Sequence, residues 1–207
     1  ATLELALVPT FGTQWLLPRL GDFLKQHPQI TINLTNRTRP FLFADTEFDA
    51  AIYFGDGEWS GTQTHFLMKE SPIPVCSPGL IAPAQQLSAE QIASLPLLQQ
   101  TTRPYAWRQW FAALDMRVEH DLNGTRLELF SMLAQAAMHG MGVALIPPFL
   151  IRQELADGRL ISPCPQSFDS TNSYFLVIPE RKAEAAALMA FATWLTAEAE
   201  RYRAQTD

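Results

Sequence analysis

The sequence predicts an α/β fold of two Rossmann-like lobes joined by two crossing strands, with a ligand cleft between the lobes. Short alternating or β-branched segments are separated by helical patterns in the order βαβαβ, which is typical of a parallel sheet. Two proline-bounded extended segments, 72–78 and 173–179, then interrupt this order. The chain has 207 residues, enough for one large domain or two small lobes.

The first elements follow from hydrophobic alternation and from proline and threonine positions. The sequence predicts strands at 3–8, 30–36 and 49–54, a helix at 14–27, and a short helix or turn at 40–46. Thr13 is the predicted N-cap of that helix, and Pro28 is predicted to stop it. The stretch PTFGT, residues 9–13, is therefore expected to be a connector between a strand and a helix.

The remaining elements form a second α/β set, followed by a strand and a helix that return to the first lobe. They are a crossing strand at 72–78, a helix at 88–94, a strand at 96–100, a helix at 104–113, a short strand near 125–127, a helix at 128–139, a buried strand at 143–148, a short helix at 148–156, a second crossing strand at 173–179 and a final helix at 182–203. The sequence SAEQ at 88–91 has the spacing of a capping box. Trp107 and Trp110, three residues apart, are predicted to be core.

The two crossings, near 74–77 and 174–177, define the predicted domain organisation. One lobe is discontinuous and comprises residues 1–74 plus 175–207. The other comprises residues 78–172.

Composition and charge exclude several classes of function. The formal net charge is −6 and the basic residues are scattered, which argues against nucleic-acid binding by this chain alone. No apolar run reaches the roughly 20 residues that span a bilayer, and no signal peptide is visible. Cys76 and Cys164 lie far apart, so two reduced thiols are expected rather than a disulfide or a metal site. We expect a cytoplasmic protein without membrane association, metal or cofactor.

Five local patterns, taken together, resemble the effector-binding domain of LysR-type transcriptional regulators. They are PTFGTQWLLPRLGDFLKQHPQI, FDAAIYFGDGEWSG, PVCSP, YAWRQWF and MHGMGVALIPP. Within that family, the first helix and the Tyr-x-Gly-x-Gly-x-Trp stretch are similar to the branch that contains the glycine-cleavage and β-lactamase regulators. The resemblance implies a fold like that of type II periplasmic binding proteins, and it covers essentially the whole chain.

The resemblance also implies partners. Such regulators begin with a winged helix-turn-helix, which is absent from this chain, so DNA would be contacted only through that missing N-terminal domain. The expected partners are a small-molecule effector, a second copy in a homodimer or homotetramer, and RNA polymerase. The dimer face is expected around the first helix, from Trp15 to Phe23, and the strand at 30–36.

Candidate ligand-binding residues follow the strands of the first lobe. Ligands of open α/β sheets bind at the carboxyl ends of the strands, where helix N-termini suit a carboxylate. Thr10, Phe11 and Thr13 follow the first strand. Thr13 as a simple N-cap and Phe11 as a simple core residue are the structural alternatives.

Further candidates follow the second and third strands. Arg37, with Thr38 beside it, lies where an arginine can bind a carboxylate in two parallel hydrogen bonds. A solvated turn is the alternative for this segment. Phe54 and Gly55 end the third strand, where glycine permits a tight turn.

The second lobe supplies the remaining candidates. Thr101 follows a strand, and Glu128 and Ser131 are predicted in the first turn of the helix at 128–139. The resemblance implies that this helix N-terminus points at the ligand. It also supports Tyr174, on the returning strand, as a cleft residue.

No catalytic motif is present, because the nucleophile elbow, the phosphate loop and the zinc-protease helix are all missing. The favoured function is therefore an effector sensor that controls transcription, with an amino acid, an organic acid or a peptide fragment as ligand. The alternative is a periplasmic solute-binding protein of an uptake transporter. A precursor with a signal peptide would favour this alternative. An enzyme similar to prephenate dehydratase is a weaker third option.

Overall fold

The computed structural model describes residues 1–83 and 86–206, and these residues form two compact units. The first unit comprises Ala1–Glu70 and Ser170–Asp207, and the second comprises Ser71–Asp169. The sequence placed the corresponding limits a few residues later, at 74 and 175.

The first unit is built on a five-stranded mixed sheet. Its strands are β1 Thr2–Leu7, β2 Thr31–Asn36, β3 Ala50–Gly55, β4 Thr62–Lys69 and β9 Ser173–Pro179. Their order in the sheet is β2-β1-β3-β9-β4. The three N-terminal strands run parallel, as the βαβαβ pattern predicts, whereas β9 pairs antiparallel with both β3 and β4.

The helices of the first unit lie between its first three strands and after β9. They are α1 Pro9–Phe11, a π-helical segment Gly12–Leu16, α2 Leu17–Gln26, 3₁₀ turns at Phe43–Asp45 and Glu180–Lys182, and α8 Ala186–Thr206. Helix α2 ends at Gln26 with His27 as its C-cap, so the stop predicted at Pro28 is confirmed. Phe23 of α2 packs against Phe191 and Trp194 of α8 with ring centroids 5.6 and 5.3 Å apart.

The second unit contains short strands and five helices within the described part of the chain. They are β5 Ile73–Val75, α3 Pro78–Ile81, α4 Ala89–Ala93, β6 Gln99–Gln100, α5 Ala106–Ala113, β7 Arg126–Leu127, α6 Phe130–Met138, β8 Ala144–Ile146, a 3₁₀ turn Pro148–Leu150 and α7 Arg152–Ala156. Strand β5 pairs antiparallel with β8, and β6 pairs parallel with β7.

The core of the second unit confirms two predictions. The capping box at Ser88 and Gln91 is formed in both directions, with bonds of 3.2 and 2.8 Å. Trp107 and Trp110 are 1% and 0% exposed. The Trp107 indole Nε1 donates to the Leu98 carbonyl at 2.9 Å, so its one polar atom is satisfied inside the core.

Four predictions about elements are corrected. The first helix begins at Pro9, not at residue 14, with Val8 as its N-cap, because proline is favoured in the first turn, where its missing N–H costs nothing. Thr13 is therefore not an N-cap. The eight-residue strand β4 was not predicted, because its sequence TQTHFLMK has no clean alternation and its pairing partner, β9, is distant in the chain.

The other two corrections concern β5, β9 and Glu128. The chain passes from one unit to the other at Glu70–Ser71 and Asp169–Ser170, a few residues before the predicted crossings near 74–77 and 174–177, so β5 lies within the second unit and β9 within the first. Glu128 precedes Leu129, the N-cap of α6, and is not in the first turn of that helix.

Candidate functional site

The predicted residues of the first unit lie at one edge of its sheet. Strands β1, β2 and β3 are parallel, so their carboxyl ends share that edge. Thr10 and Phe11 follow β1 directly, Arg37 and Thr38 follow β2, and Gly55 ends β3. Such an edge is where open α/β sheets bind ligands.

An aromatic cluster forms at this edge. The Tyr174 ring stacks on Phe11 at 5.2 Å between centroids, with 23° between the planes. Phe54, opposite Tyr174 in the β3–β9 register, contacts the same ring at 5.2 Å. Phe11 and Tyr174 are each only 1% exposed. This burial fits the alternative that Phe11 is a core residue, and it makes Tyr174 a support for the α1 turn.

Glu70 belongs to this cluster, although the sequence did not identify it. The Tyr174 hydroxyl donates a short hydrogen bond to Glu70 Oε2, and Glu70 is 2% exposed. An acidic residue next to the lysine that ends β4 is a weak signal, because charged residues are also common at solvent-exposed strand ends. The contact joins residues 104 positions apart, which no local pattern reveals.

The two threonines of the first turn differ in exposure. Thr10 is 6% exposed, whereas Thr13 is exposed to solvent. The Thr13 hydroxyl lies 3.4 Å from both the Pro9 and the Thr10 carbonyl oxygens, to which it donates within the helix. Thr13 therefore donates to its own helix, while Thr10, the residue before Phe11, is buried.

Arg37 lies at the exposed end of β2. Its guanidinium carbon is 5.1 Å from the centroid of the Phe48 ring, and its Nη1 donates to the Asn36 carbonyl at 3.2 Å. The Arg37 backbone N–H donates to the Leu7 carbonyl at 2.8 Å, which fixes the turn after β2. Thr38 is half-buried next to it. The Arg37 side chain thus contacts Phe48 and Asn36 at the surface, which is compatible with both the ligand-binding and the solvated-turn interpretations.

Gly55 is a packing position. A Cβ atom at Gly55 would lie 2.3 Å from the Tyr53 ring, so no larger residue fits without movement of that ring. The Tyr53 hydroxyl accepts from the Gly57 N–H at 2.9 Å. Burial, and to a smaller extent the nearby acidic side chains, raise the pKa of Tyr53, while the bond from Gly57 lowers it. Tyr53 thus closes the turn after β3 as a neutral phenol.

A polar chain of hydrogen bonds organises the second unit beside α6. Gln100, 6% exposed, donates through Nε2 to the Glu128 carbonyl at 2.9 Å. Its Oε1 accepts from the Thr102 hydroxyl at 2.7 Å. That hydroxyl accepts in turn from Arg103 Nη1 at 2.9 Å. The sequence singled out Thr101 in this segment. Thr101 is exposed, and its N–H donates to the Leu127 carbonyl at 2.8 Å.

The N-terminus of α6 is next to this arginine. The Arg103 guanidinium carbon is 5.2 Å from the centroid of the Phe130 ring, the first residue of α6. Leu129, the N-cap, provides no side-chain hydrogen bond to the helix. Ser131, the second residue of α6, is exposed. A guanidinium, a hydroxyl and a helix N-terminus all favour an anion.

The described residues show no metal cluster and no helix long and apolar enough to cross a membrane. Among residues 1–83 and 86–206, no three or more His, Cys, Asp or Glu side chains are grouped so that they could hold a metal ion. The same residues contain no membrane-spanning helix candidate. The two candidate groups offer hydrogen bonds, the guanidinium groups of Arg37 and Arg103, and aromatic surface.

Residues 1–200 match the family model described as the LysR substrate binding domain. The chain belongs to this family. It is an effector domain of the LysR type, and the resemblance to the branch with the glycine-cleavage regulators is confirmed.

Curated relatives are transcriptional regulators. The chain is 34% identical over 199 residues to the HTH-type transcriptional regulator PerR of Escherichia coli K12, covering 95% of this chain and 66% of that protein. It is 32% identical over 198 residues to the glycine cleavage system transcriptional activator of the same strain, covering 95% and 65%. The chain thus spans about 65% of the length of these relatives. They do not favour the solute-binding alternative.

Solved structures confirm the two-lobe α/β fold class. The effector domain of the transcriptional regulator AmpR of Pseudomonas aeruginosa has a TM-score of 0.89 at 29% identity, covering 100% of both chains. The AmpR effector-binding domain of Citrobacter freundii has a TM-score of 0.86 at 26% identity, covering 97% of this chain and 98% of that one.

Proposed function

We propose that this chain senses a small polar effector for a LysR-type transcriptional regulator. The ligand is an amino acid, an organic acid or a peptide fragment, and no chemical step is catalysed. Binding shifts the population of domain conformations, and the shift changes DNA binding by a helix-turn-helix region of the full-length regulator. Such a regulator acts in the cytoplasm. The location of the ligand between the lobes stays a prediction from the sequence.

One observation carries this proposal: the α6 N-terminus lacks a side-chain cap and lies beside Arg103. Arg103 donates to the Thr102 hydroxyl and its guanidinium contacts the Phe130 ring, so its positive charge lies at the first residue of α6. A ligand carboxylate would receive a charge-assisted bond from Arg103 and a further bond from the Ser131 hydroxyl. On the first unit, Thr10 and Arg37 are the proposed polar contacts.

A thermal-shift screen with amino acids, small carboxylic acids and muropeptide fragments tests the proposal. A ligand present at 100 times its Kd adds about 2.7 kcal/mol of stability. For a domain of this size, that corresponds to a rise in Tm of about 5–11 °C. The best compound is then titrated calorimetrically against the wild-type protein and its variants.

Matched variants locate the binding site. Arg103→Gln and Ser131→Ala should each weaken binding, by about 10–150-fold for the charged bond and about tenfold for the hydroxyl. Arg117→Gln and Ser167→Ala make the same chemical changes at exposed positions of the same unit and should leave Kd within about twofold. Equal losses in the controls and in the site variants would reject this site.

Oligomerisation is part of the proposal. Trp15 and Phe23 are buried within the first unit, at 1% and 0% exposure, so they are not available for the predicted dimer face. Leu17, between them, is 49% exposed. We infer that a homodimer or homotetramer uses Leu17 and the half-exposed strand β2, with RNA polymerase as a partner of the full regulator. Sedimentation of Leu17→Glu against the wild type checks the contact.

A further inference from the structure

Glu70 is a buried carboxylate at the end of β4. It is 2% exposed, and the Tyr174 hydroxyl donates to its Oε2. The backbone carbonyl of Glu70 accepts from the Ser170 N–H at 3.2 Å. The side chain and the main chain of Glu70 are thus both bonded to the segment in which the chain re-enters the first unit.

A buried carboxylate such as that of Glu70 needs a hydrogen-bond donor. Burying a charged group without a hydrogen bond is strongly unfavourable, and a bond from a hydroxyl to a carboxylate is among the stronger ones in proteins. The phenol hydroxyl has a single proton to donate, and Tyr174 donates it to Glu70. This hydrogen bond fixes the position of the Tyr174 hydroxyl group. The Tyr174 ring is therefore constrained at its hydroxyl as well as by packing on its faces.

Tyr174 transmits this constraint to the first turn of the chain. Its ring stacks on the Phe11 ring with 5.2 Å between the centroids, and the Phe11 ring contacts the Trp15 ring at the same centroid distance of 5.2 Å. Phe11 ends α1, and the next residue, Gly12, donates its N–H to the Val8 carbonyl at 3.2 Å. No side chain caps α1, so the placement of this turn depends on packing behind it.

We propose that Glu70 is a positioning residue of the effector site: through Tyr174 it holds Phe11 and the α1 turn in place. The inference rests on the proposed function, because the α1 turn carries Thr10. In this role Glu70 acts through Tyr174 and Phe11 rather than by direct contact with the ligand. It sets the geometry of the residues that contact the ligand.

Hydrogen exchange of the unliganded protein tests this directly. The amides of Gly12–Leu16 report on the α1 turn, and those of β2 and β8 serve as references in the two units. Glu70→Met removes the acceptor at similar side-chain length, and we expect exchange at Gly12–Leu16 about tenfold faster while the references stay unchanged. Glu70→Gln keeps an acceptor oxygen and should stay within about threefold of the wild type.

A double-mutant cycle shows whether Glu70 acts through Tyr174. Tyr174→Phe keeps the ring stack and removes the hydroxyl, so it should accelerate the same amides. Adding Glu70→Met to Tyr174→Phe should give little further acceleration. Asp121→Asn removes a comparably buried carboxylate, 4% exposed, from the second unit and should leave Gly12–Leu16 unchanged. Should Glu70→Met fail to fold, Glu70→Gln and Tyr174→Phe complete the comparison.

The outcomes separate this inference from the proposed function. Additive effects in the cycle, uniform acceleration of all amides, or no acceleration at Gly12–Leu16 would overturn the positioning role. If Glu70→Met accelerates exchange at Gly12–Leu16 as expected but no compound of the panel binds, the proposed function fails. The positioning of the α1 turn by Glu70 is then still supported. If a compound binds through Ser131 and Glu70→Met changes neither its Kd nor the exchange, the function stands and the inference fails.

Discussion

The indole hydrogen bond of Trp107 allows a stability prediction with an internal control. Trp107, in the second unit, is 1% exposed and donates to the Leu98 carbonyl at 2.9 Å. Trp194, in the first unit, is 9% exposed, and within the described residues its Nε1 has no hydrogen-bond partner. Phenylalanine at either position removes one ring of the indole and the N–H group, so the two variants differ mainly in the lost bond.

The magnitudes follow from these contacts. Each exchange removes roughly 40 Å² of buried apolar surface, worth about 1 kcal/mol. At Trp107 the Leu98 carbonyl is also left buried without its donor, which costs about 1–3 kcal/mol more. At Trp194 the exchange removes an unsatisfied donor, so part of the loss is regained. We expect Trp107→Phe to lose about 2–4 kcal/mol and Trp194→Phe about 0–1 kcal/mol.

Urea denaturation followed by far-ultraviolet circular dichroism measures the difference, because this signal does not depend on the substituted fluorophore. Each variant is compared with the wild type on the transition of the unit that carries it. A difference of about 2 kcal/mol corresponds to about 4–8 °C in Tm. Equal losses at the two positions would show that the Trp107 bond contributes nothing net, and the reasoning would be wrong.

Three further predictions concern a thiol, a cap and two glycines. Burial raises the pKa of Cys76 from its ordinary value near 9 to about 11, so the folded state keeps a proton that the unfolded chain releases. The contribution of Cys76 to stability should therefore be constant below pH 9 and be lost as pH rises through 11, so denaturation titrations of Cys76→Ala should show a smaller slope in this range than the wild type. Ser88→Ala should cost about 1 kcal/mol by removing the capping box of α4, as measured by urea denaturation. Gly124 has φ +121°, and a Cβ there would lie 1.9 Å from the Leu97 carbonyl oxygen, so Gly124→Ala should reduce stability by several kcal/mol. Gly21→Ala, in α2 with no atom within 4 Å of a new Cβ, should raise stability by about 0.5–1 kcal/mol in the same assay.

Local patterns predicted most of the fold because most elements are set by local rules. The alternation of β2, the capping box of α4 and the proline after α2 each act within a few residues, and each is confirmed. Strand β4 was missed because its only partner within the described residues is β9, and pairing rather than periodicity makes it a strand.

For the candidate site, the sequence predicted the elements that carry the residues better than the contacts that these residues make. Strand ends located the α1 turn and the α6 N-terminus, because the carboxyl edge of a parallel sheet is fixed by topology. Arg103 was missed although it lies only two residues beyond Thr101, since its direction depends on contact with Phe130. Glu70 was missed because its burial depends on Tyr174, from a distant strand.

The insertion of β9 between β3 and β4 has a consequence for how the chain is made. On the ribosome, β4 emerges without a neighbour to pair with, since β9 follows only after all of Ser71–Asp169 has been synthesised. At about 5–20 residues per second, that interval lasts roughly 5–20 s. During it, the contiguous second unit can complete its own core while the first remains an open three-stranded sheet with an unpaired edge. Translation order thus favours early folding of the inserted unit, whereas the five-stranded sheet of the first unit can form only after β9 has been synthesised.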